Sequence, residues 1–208
     1  MQLLWRDVAI GAGPPINTSL TAAETAKLME LAKDGDVLEI GSAYGYSTCA
    51  LALVARSVVA IDPHATHGSF FELQANLNAY GVREKVRIVR DSSQNALRSM
   101  AGWVDKYEKT AQRFDLVWID GDHTAEVVEH DVSHAIKLLK PGGVLACHDY
   151  DEVTCPGVRV ALDKLFGGPG KLTDTLAVYQ FTLPESGIVG EHGPEKSIPS
   201  ISGVVLPR

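Results

Sequence analysis

Five apolar runs in this chain end on side chains that could do chemistry. They close on Glu39 with the loop to Gly45, on Asp62, on Asp91, on Asp120 to His123, and on His148 with Asp149. Carboxylates so placed can accept ribose hydroxyls, an exocyclic amine or an ammonium group. A histidine titrating near neutrality can move a proton. Any one of these acids is as readily a helix cap or turn residue. Gathered on one sheet edge they would repel each other, so a shared ligand is the better explanation for the set.

The elements that must position them follow from pattern. VLEIG, SVVAID, KVRIVRD, FDLVWIDGD and GGVLACHDY read as short strands, and helical stretches separate them. Such alternation predicts an α/β fold with a parallel sheet covered on both faces. In TSLTAAETAKLMELAKDGD, Thr21 and Glu24 form a capping box, and Gly35 stands where a helix end favours a left-handed residue. Over 123–139 the spacing of Val128, Val132, Ala135 and Leu139 predicts a buried helix face, with Glu129, His130 and Lys137 outward. LAVYQFTL reads as a late strand. The chain is expected to be one domain over 1–208, with an N-terminal lid or substrate segment at 1–20 and an irregular tail at 184–208.

In open sheets of this kind ligands bind beyond the carboxyl ends of the strands, where strand order reverses. The net charge of −7 argues against nucleic acid as a partner, since phosphate neutralisation needs a basic face. No apolar window reaches membrane-spanning length, and no membrane partner is expected. The start MQLLWRDVAIG lacks the pattern of a signal peptide. Cys49, Cys147 and Cys155 show no metal-type spacing, and reduced thiols fit a cytoplasmic setting.

Gly41-Ser-Ala-Tyr-Gly45 follows the first of these strands and opens a helix. It lacks the middle glycine of the dinucleotide fingerprint, and Tyr44 would obstruct a pyrophosphate. The acid at Glu39 suits a ligand carrying an amine. Asp62, about 20 residues on, is placed to take both ribose hydroxyls, and Asp91 with Ser92 to meet an adenine amino group. Ribose, adenine and an amino acid without phosphates together describe S-adenosylmethionine.

Residues 18–166 resemble a class I S-adenosylmethionine-dependent methyltransferase. LEIGSAYGYS is similar to the cofactor loop of catechol O-methyltransferase-like enzymes. IDGDHTAEVVEHDVSHAIKLLKPGGVLACHDY resembles a bacterial branch of small-molecule methyltransferases that includes metal-dependent sugar O-methyltransferases. The resemblance implies a doubly wound, mostly parallel seven-stranded sheet in three layers. It implies that Glu39 and Gly41 lie beside the methionine portion of the cofactor, that Ser42 and Tyr44 also contact the cofactor, and that Ser47 binds its carboxylate at a helix N-terminus. Asp62 would hold the ribose, Asp91 and Ser92 the adenine, and Asp120 would adjoin the cofactor as well. KPGG would be a structural turn.

In metal-dependent relatives the positions matching Asp120, His148 and Asp149 bind a divalent cation, magnesium or manganese. The cation lowers the pKa of the acceptor hydroxyl. His123 matches the general base, and Asp120 and His148 complete the implied catalytic set. An imidazole at 148 suits a softer metal than magnesium. Two other readings stay open: Asp122 or Asp151 joins Asp120 and Asp149 as a ligand while His148 supports them, or His123 and His148 act without metal. The expected function is methyl transfer to a hydroxyl of a small molecule. N-methylation, metal-free O-methylation and a non-catalytic nucleoside-binding protein are the alternatives. Trp5, Trp118 and Tyr150 could stack on an acceptor ring or serve packing. A homodimer is the base-rate expectation.

Overall fold

Runs such as VVAI and LVWI are apolar at every position, so neither face of their strands can meet water. That composition forces helices onto both sides. The structure, a computed structural model, describes residues 6–106, 112–151 and 153–181. Trp5 and the tail at 184–208 lie outside the described residues.

The described chain opens with an antiparallel hairpin, β1 (Arg6–Val8) and β2 (Ile16–Thr18), where the sequence suggested only a lid segment. Helix α1 (Ala22–Ala32) follows, and the Thr21–Glu24 capping box is present in both directions. Five parallel strands come next: β3 (Asp36–Ile40), β4 (Ser57–Ile61), β5 (Val86–Val89), β6 (Phe114–Ile119) and β7 (Leu139–Cys147). Helices α2 (Tyr46–Val54), α3 (Ser69–Ala79), α4 (Ser93–Lys106), α5 (Ala125–Ala135) and α6 (Pro156–Phe166) intervene or follow. β8 (Lys171–Thr173) and β9 (Leu176–Gln180) then close one edge antiparallel. Among the described residues the sheet has seven strands in the order β5-β4-β3-β6-β7-β9-β8.

Alternate strand residues feed the two cores. Leu38, Ile40, Val59 and Ile61 pack with Leu97, Val132 and Leu162 of α4, α5 and α6. Val37, Val58 and Ala60 pack with Leu28, Leu51 and Leu73 of α1, α2 and α3. Strand order reverses between β3 and β6, which opens a crevice at their carboxyl ends. Register decides what meets there. Ile40 pairs with both Ile61 and Ile119, and Ile119 pairs with Cys147. The next residues, Gly41, Asp62, Asp120 and His148, therefore emerge at one level.

Two local expectations change. The left-handed residue after α1 is Asp34, not Gly35. Gly35 instead makes room, since a Cβ there would stand 3.0 Å from that of Asp115. On α5, His130 is half-buried rather than solvated, because its Nδ1 reaches the buried Asp131 at 3.2 Å and its ring stacks on His134. In KPGG, Lys140 Nζ reaches Asp36 and Asp115, each at 2.8 Å, and ties β3, β6 and β7 at the edge away from the crevice. No helix among the described residues is long and apolar enough to cross a membrane.

Candidate active site

A cavity of about 450 Å³ occupies the crevice, within the usual range for a small-ligand pocket. Its floor is the loop from Gly41 to Tyr44 and the start of α2. Asp62 and Ser92 to Gln94 wall one end, and Asp120 to His123 with Asp149 wall the other. Asn17 to Leu20, running from the end of β2 toward α1, cover part of it.

Gly41 sits at φ 89°, and a Cβ there would fall 2.0 Å from the carbonyl oxygen of Asp120. Only glycine lets the loop turn while β3 and β6 stay this close. Gly45, at φ 92°, begins α2 without a side-chain cap. The first amides of that helix thus face the cavity with no residue of their own to cap them, an arrangement suited to an anion. Ser42 adds a buried hydroxyl that has no hydrogen-bond partner.

Asp62 holds the loop that follows β3. Its Oδ2 accepts from the amides of Ser42 at 3.1 Å and Ala43 at 2.9 Å, and its Oδ1 from His64 at 2.6 Å. His64 is itself buried, with Nδ1 3.1 Å from the Ser69 hydroxyl. Glu39 lies wholly beneath the floor. It accepts the hydroxyls of Ser47 at 2.5 Å and Thr48 at 2.6 Å, which fixes the first turn of α2. Burial dominates its titration and pushes its pKa up to about 8, although both hydroxyls oppose the rise.

Opposite, acids and imidazoles converge. His148 is buried, with Nδ1 3.3 Å from Asp120 Oδ1 and 3.3 Å from Asp149 Oδ2, and Nε2 3.4 Å from Glu24 Oε2. The Nδ1 contacts are ion pairs without hydrogen-bond alignment, so that nitrogen has no hydrogen-bond partner. Burial opposes a charge on His148, but the three carboxylates outweigh it and raise its pKa far above the imidazole range. His123 Nε2 stands 3.0 Å from Asp149 Oδ2 and 4.0 Å from Asp120 Oδ1. Those two carboxylates lift its pKa to about 9 against partial burial. Asp149 adopts a left-handed backbone at φ 58°, a strained conformation that aims its carboxylate between the two imidazoles.

Comparison with known proteins adds the family. Residues 38–150, more than half of the chain, match a family model described as a methyltransferase domain. The chain belongs to that methyltransferase family. Its doubly wound seven-stranded fold is that of the class I S-adenosylmethionine-dependent enzymes. Cofactor-bound Rv0187 from MTB shares 25% identity over 73% of this chain and 71% of its own, at a TM-score of 0.58. The S-adenosylmethionine complex of the O-methyltransferase TomG from Streptomyces achromogenes, involved in tomaymycin synthesis, is 23% identical over 73% and 71%, at 0.57. A curated relative, protein-L-isoaspartate O-methyltransferase 1 of Nitrosospira multiformis, is 29% identical over 64% of this chain. The chain spans about half of that relative, 49% of its length.

Within this methyltransferase the expected site residues divide into two groups. Gly41, Ser42, Tyr44, Ser47, Asp62, Ser92, Asp120, His123 and Asp149 all border the cavity. Glu39, Asp91 and His148 do not. Glu39 sits beneath the loop, and His148 lies behind Asp120 and Asp149. Asp91 is exposed, its Oδ1 accepting from the Ser92 amide at 2.8 Å at the start of α4. Asp122 accepts from the Thr124 amide at 2.7 Å, and Asp151 from the Val153 amide at 2.6 Å, so both serve turns. Trp118 is fully buried beside the His148 ring, and Tyr150 donates to Asp163 at 2.5 Å. Both are packing residues here.

The cavity fits S-adenosylmethionine: it offers an uncapped helix start, the unpartnered Ser42 hydroxyl and the Asp62 carboxylate. The group Asp120, His148 and Asp149 fits a divalent cation. Its donor atoms lie within 4.8 Å of one another, and a lone nitrogen faces two carboxylates. Glu24 was legible only as a cap, because its partner His148 lies on another element. Gly157 was equally hidden. A Cβ on it would fall 2.2 Å from the His123 carbonyl oxygen, so its bareness lets α6 seat the loop that carries His123.

Proposed function

We propose that this protein is an S-adenosylmethionine-dependent O-methyltransferase acting on a small hydroxylated acceptor, with His123 as general base and a divalent cation at Asp120, His148 and Asp149. The observation that carries it is the acid–imidazole cluster at the end of the cavity away from Asp62 and Ser92. An amine can attack a sulfonium methyl unaided once neutral. A hydroxyl needs its proton removed, and this cluster is built for that task. Two of the named relatives, TomG and protein-L-isoaspartate O-methyltransferase 1, are O-methyltransferases by name, which supports oxygen as the atom methylated.

Asp62 holds the loop through the Ser42 and Ala43 amides and presents its carboxylate to ribose hydroxyls. The start of α2 and Ser42 take the amino-acid end, with Glu39 bracing them from below. S-adenosylmethionine supplies a methyl group on a positively charged sulfur. A cation held by Asp120, His148 and Asp149 would polarise the acceptor oxygen and, by offsetting two carboxylates, bring His123 down from about 9 toward a range where it is a neutral base. His123 borders the cavity and takes the acceptor proton, while Asp149 stabilises the imidazolium that forms. Proximity in the cavity supplies much of the remaining acceleration.

Calorimetric titration of S-adenosylhomocysteine tests the donor site. Methyl transfer to vicinal-diol acceptors, with and without chelator, tests the rest. Turnover is expected only with metal and should fall by roughly a hundredfold or more in His123→Ala, the scale of a general base. Full turnover in excess chelator removes the cation, and undiminished turnover in His123→Ala removes the base. Absence of S-adenosylhomocysteine binding removes the whole reading.

A further inference from the structure

A second set of donors meets beside the oxygen-rich one. The Cys155 thiol, an imidazole nitrogen of His123 and a carboxylate oxygen of Asp149 lie within 4.8 Å of one another. We propose that His123, Asp149 and Cys155 form a binding site for a thiophilic divalent cation such as zinc, and that its occupancy takes the general base out of service.

The fold brings these donors together from three places. Asp149 follows β7, His123 precedes α5, and Cys155 opens α6. The bare Gly157 lets the first turn of α6 close on the His123 backbone, which carries the thiol to the imidazole. Cys155 sits at the N-cap position but makes no capping hydrogen bond, and its thiol is instead within hydrogen-bonding reach of the Thr154 and Asp149 side chains. Cys49 and Cys147 differ. Each is fully buried in an apolar core, and neither belongs to a group of metal-type donors among the described residues.

Sulfur, nitrogen and oxygen together are a zinc-type donor set, with the fourth tetrahedral position left to water or an acceptor oxygen. Ligation forms metal–sulfur and metal–nitrogen bonds and releases to solvent the thiol proton of Cys155 and the imidazolium proton of His123. Asp149 belongs to both sets, and its strained backbone holds its carboxylate between them. The two sets therefore compete for one carboxylate. Hard cations keep to Asp120, His148 and Asp149, and softer ones are drawn to the thiolate. Ligation consumes the imidazole lone pair of His123. That inhibitory consequence rests on the function proposed above, but the site does not.

Cobalt(II) titrated into chelator-treated protein reads the sulfur directly. A near-ultraviolet thiolate-to-cobalt charge-transfer band is expected in the wild type and in Asp120→Asn, and is absent in Cys155→Ser. Zinc affinity, measured by competition with a chromogenic chelator, should fall in Cys155→Ser by more than the roughly tenfold that even indirect changes cost. If Cys155→Ser does not fold, His123→Ala replaces it and should shift and weaken the band. A band that survives in Cys155→Ser overturns the site, as does wild-type protein that binds cobalt without any such band. These readouts use neither methyl donor nor acceptor, so they can fail while methyl transfer stands, and the reverse. Zinc inhibition of turnover that is relieved in Cys155→Ser is expected; inhibition equal in both overturns the regulatory half.

Discussion

Oε2 of Glu24 stands 3.4 Å from Nε2 of His148, joining the first turn of α1 to the end of β7 across 124 residues of chain. The same carboxyl group accepts from the Thr21 amide at 2.9 Å, the Thr175 amide at 2.9 Å and the Thr175 hydroxyl at 2.8 Å. A capping-box acid thus also locks the ring of a buried histidine. Burial would raise its pKa, but His148, Thr21 and Thr175 together hold it down at about 2. An acceptor at Nε2 leaves Nδ1 to face Asp120 and Asp149, which is how outer partners commonly orient a metal-binding histidine.

Replacing Glu24 by Gln keeps a capping side chain but removes the charge beside His148. Steady-state kinetics should show kcat lowered by roughly tenfold or more. S-adenosylhomocysteine affinity should change little, because Glu24 does not border the cavity. Glu24→Ala should add about 1 kcal/mol of lost stability in chemical denaturation, the value of a helix cap.

Asp62 holds the Ser42 and Ala43 amides and, in the function proposed above, the ribose; Asp62→Ala should undo both. Calorimetry should show S-adenosylhomocysteine binding weakened by roughly a hundredfold, about 3 kcal/mol. An unchanged dissociation constant would place the ribose elsewhere.

Gly157→Ala adds one methyl group where the His123 backbone already stands. The loop must move, and with it the proposed base. Turnover should drop by roughly a hundredfold, the cost of about 1 Å of misplacement. Donor affinity should be preserved, since Asp62 and the α2 start are remote from α6. Parallel loss of donor binding would show a collapse of the fold instead.

Glu39 gives the pH dependence a definite sign. Its pKa rises from 4.5 to about 8 on folding, first because it is buried and then because Asp120 and Asp62 add negative charge. A carboxyl group with a raised folded pKa stabilises fully below its unfolded pKa, and that contribution is lost as pH climbs through the folded one. Urea unfolding of the wild type should therefore weaken between about pH 5 and about pH 9. Glu39→Gln should flatten that slope and exceed the wild type in alkali by at least about 1 kcal/mol.

How much could be read in advance varied with the range of the interactions. The Thr21–Glu24 box, the strand–helix alternation and the glycine loop are local patterns, and each appears where the spacing predicts it. Asp62, Asp120 and Asp149 reach the cavity because parallel pairing brings strand ends level, a consequence of the sheet class itself. Glu39 and Asp91 also end strands but do not border the cavity. A residue inside the strand points to one face, and that face of Glu39 lies under α2. Asp91 follows the edge strand β5 and stays exposed among the described residues.

The order of residues therefore carried the sheet, its covering helices and the edge on which the chemistry gathers, because these depend on spacing between near neighbours. It could not carry the Glu24–His148 contact, the seat that Gly157 makes for His123, or the approach of Cys155 to His123. Those depend on how helices from both ends of the chain pack against the completed sheet, and packing of that kind exists only once the chain has closed on itself.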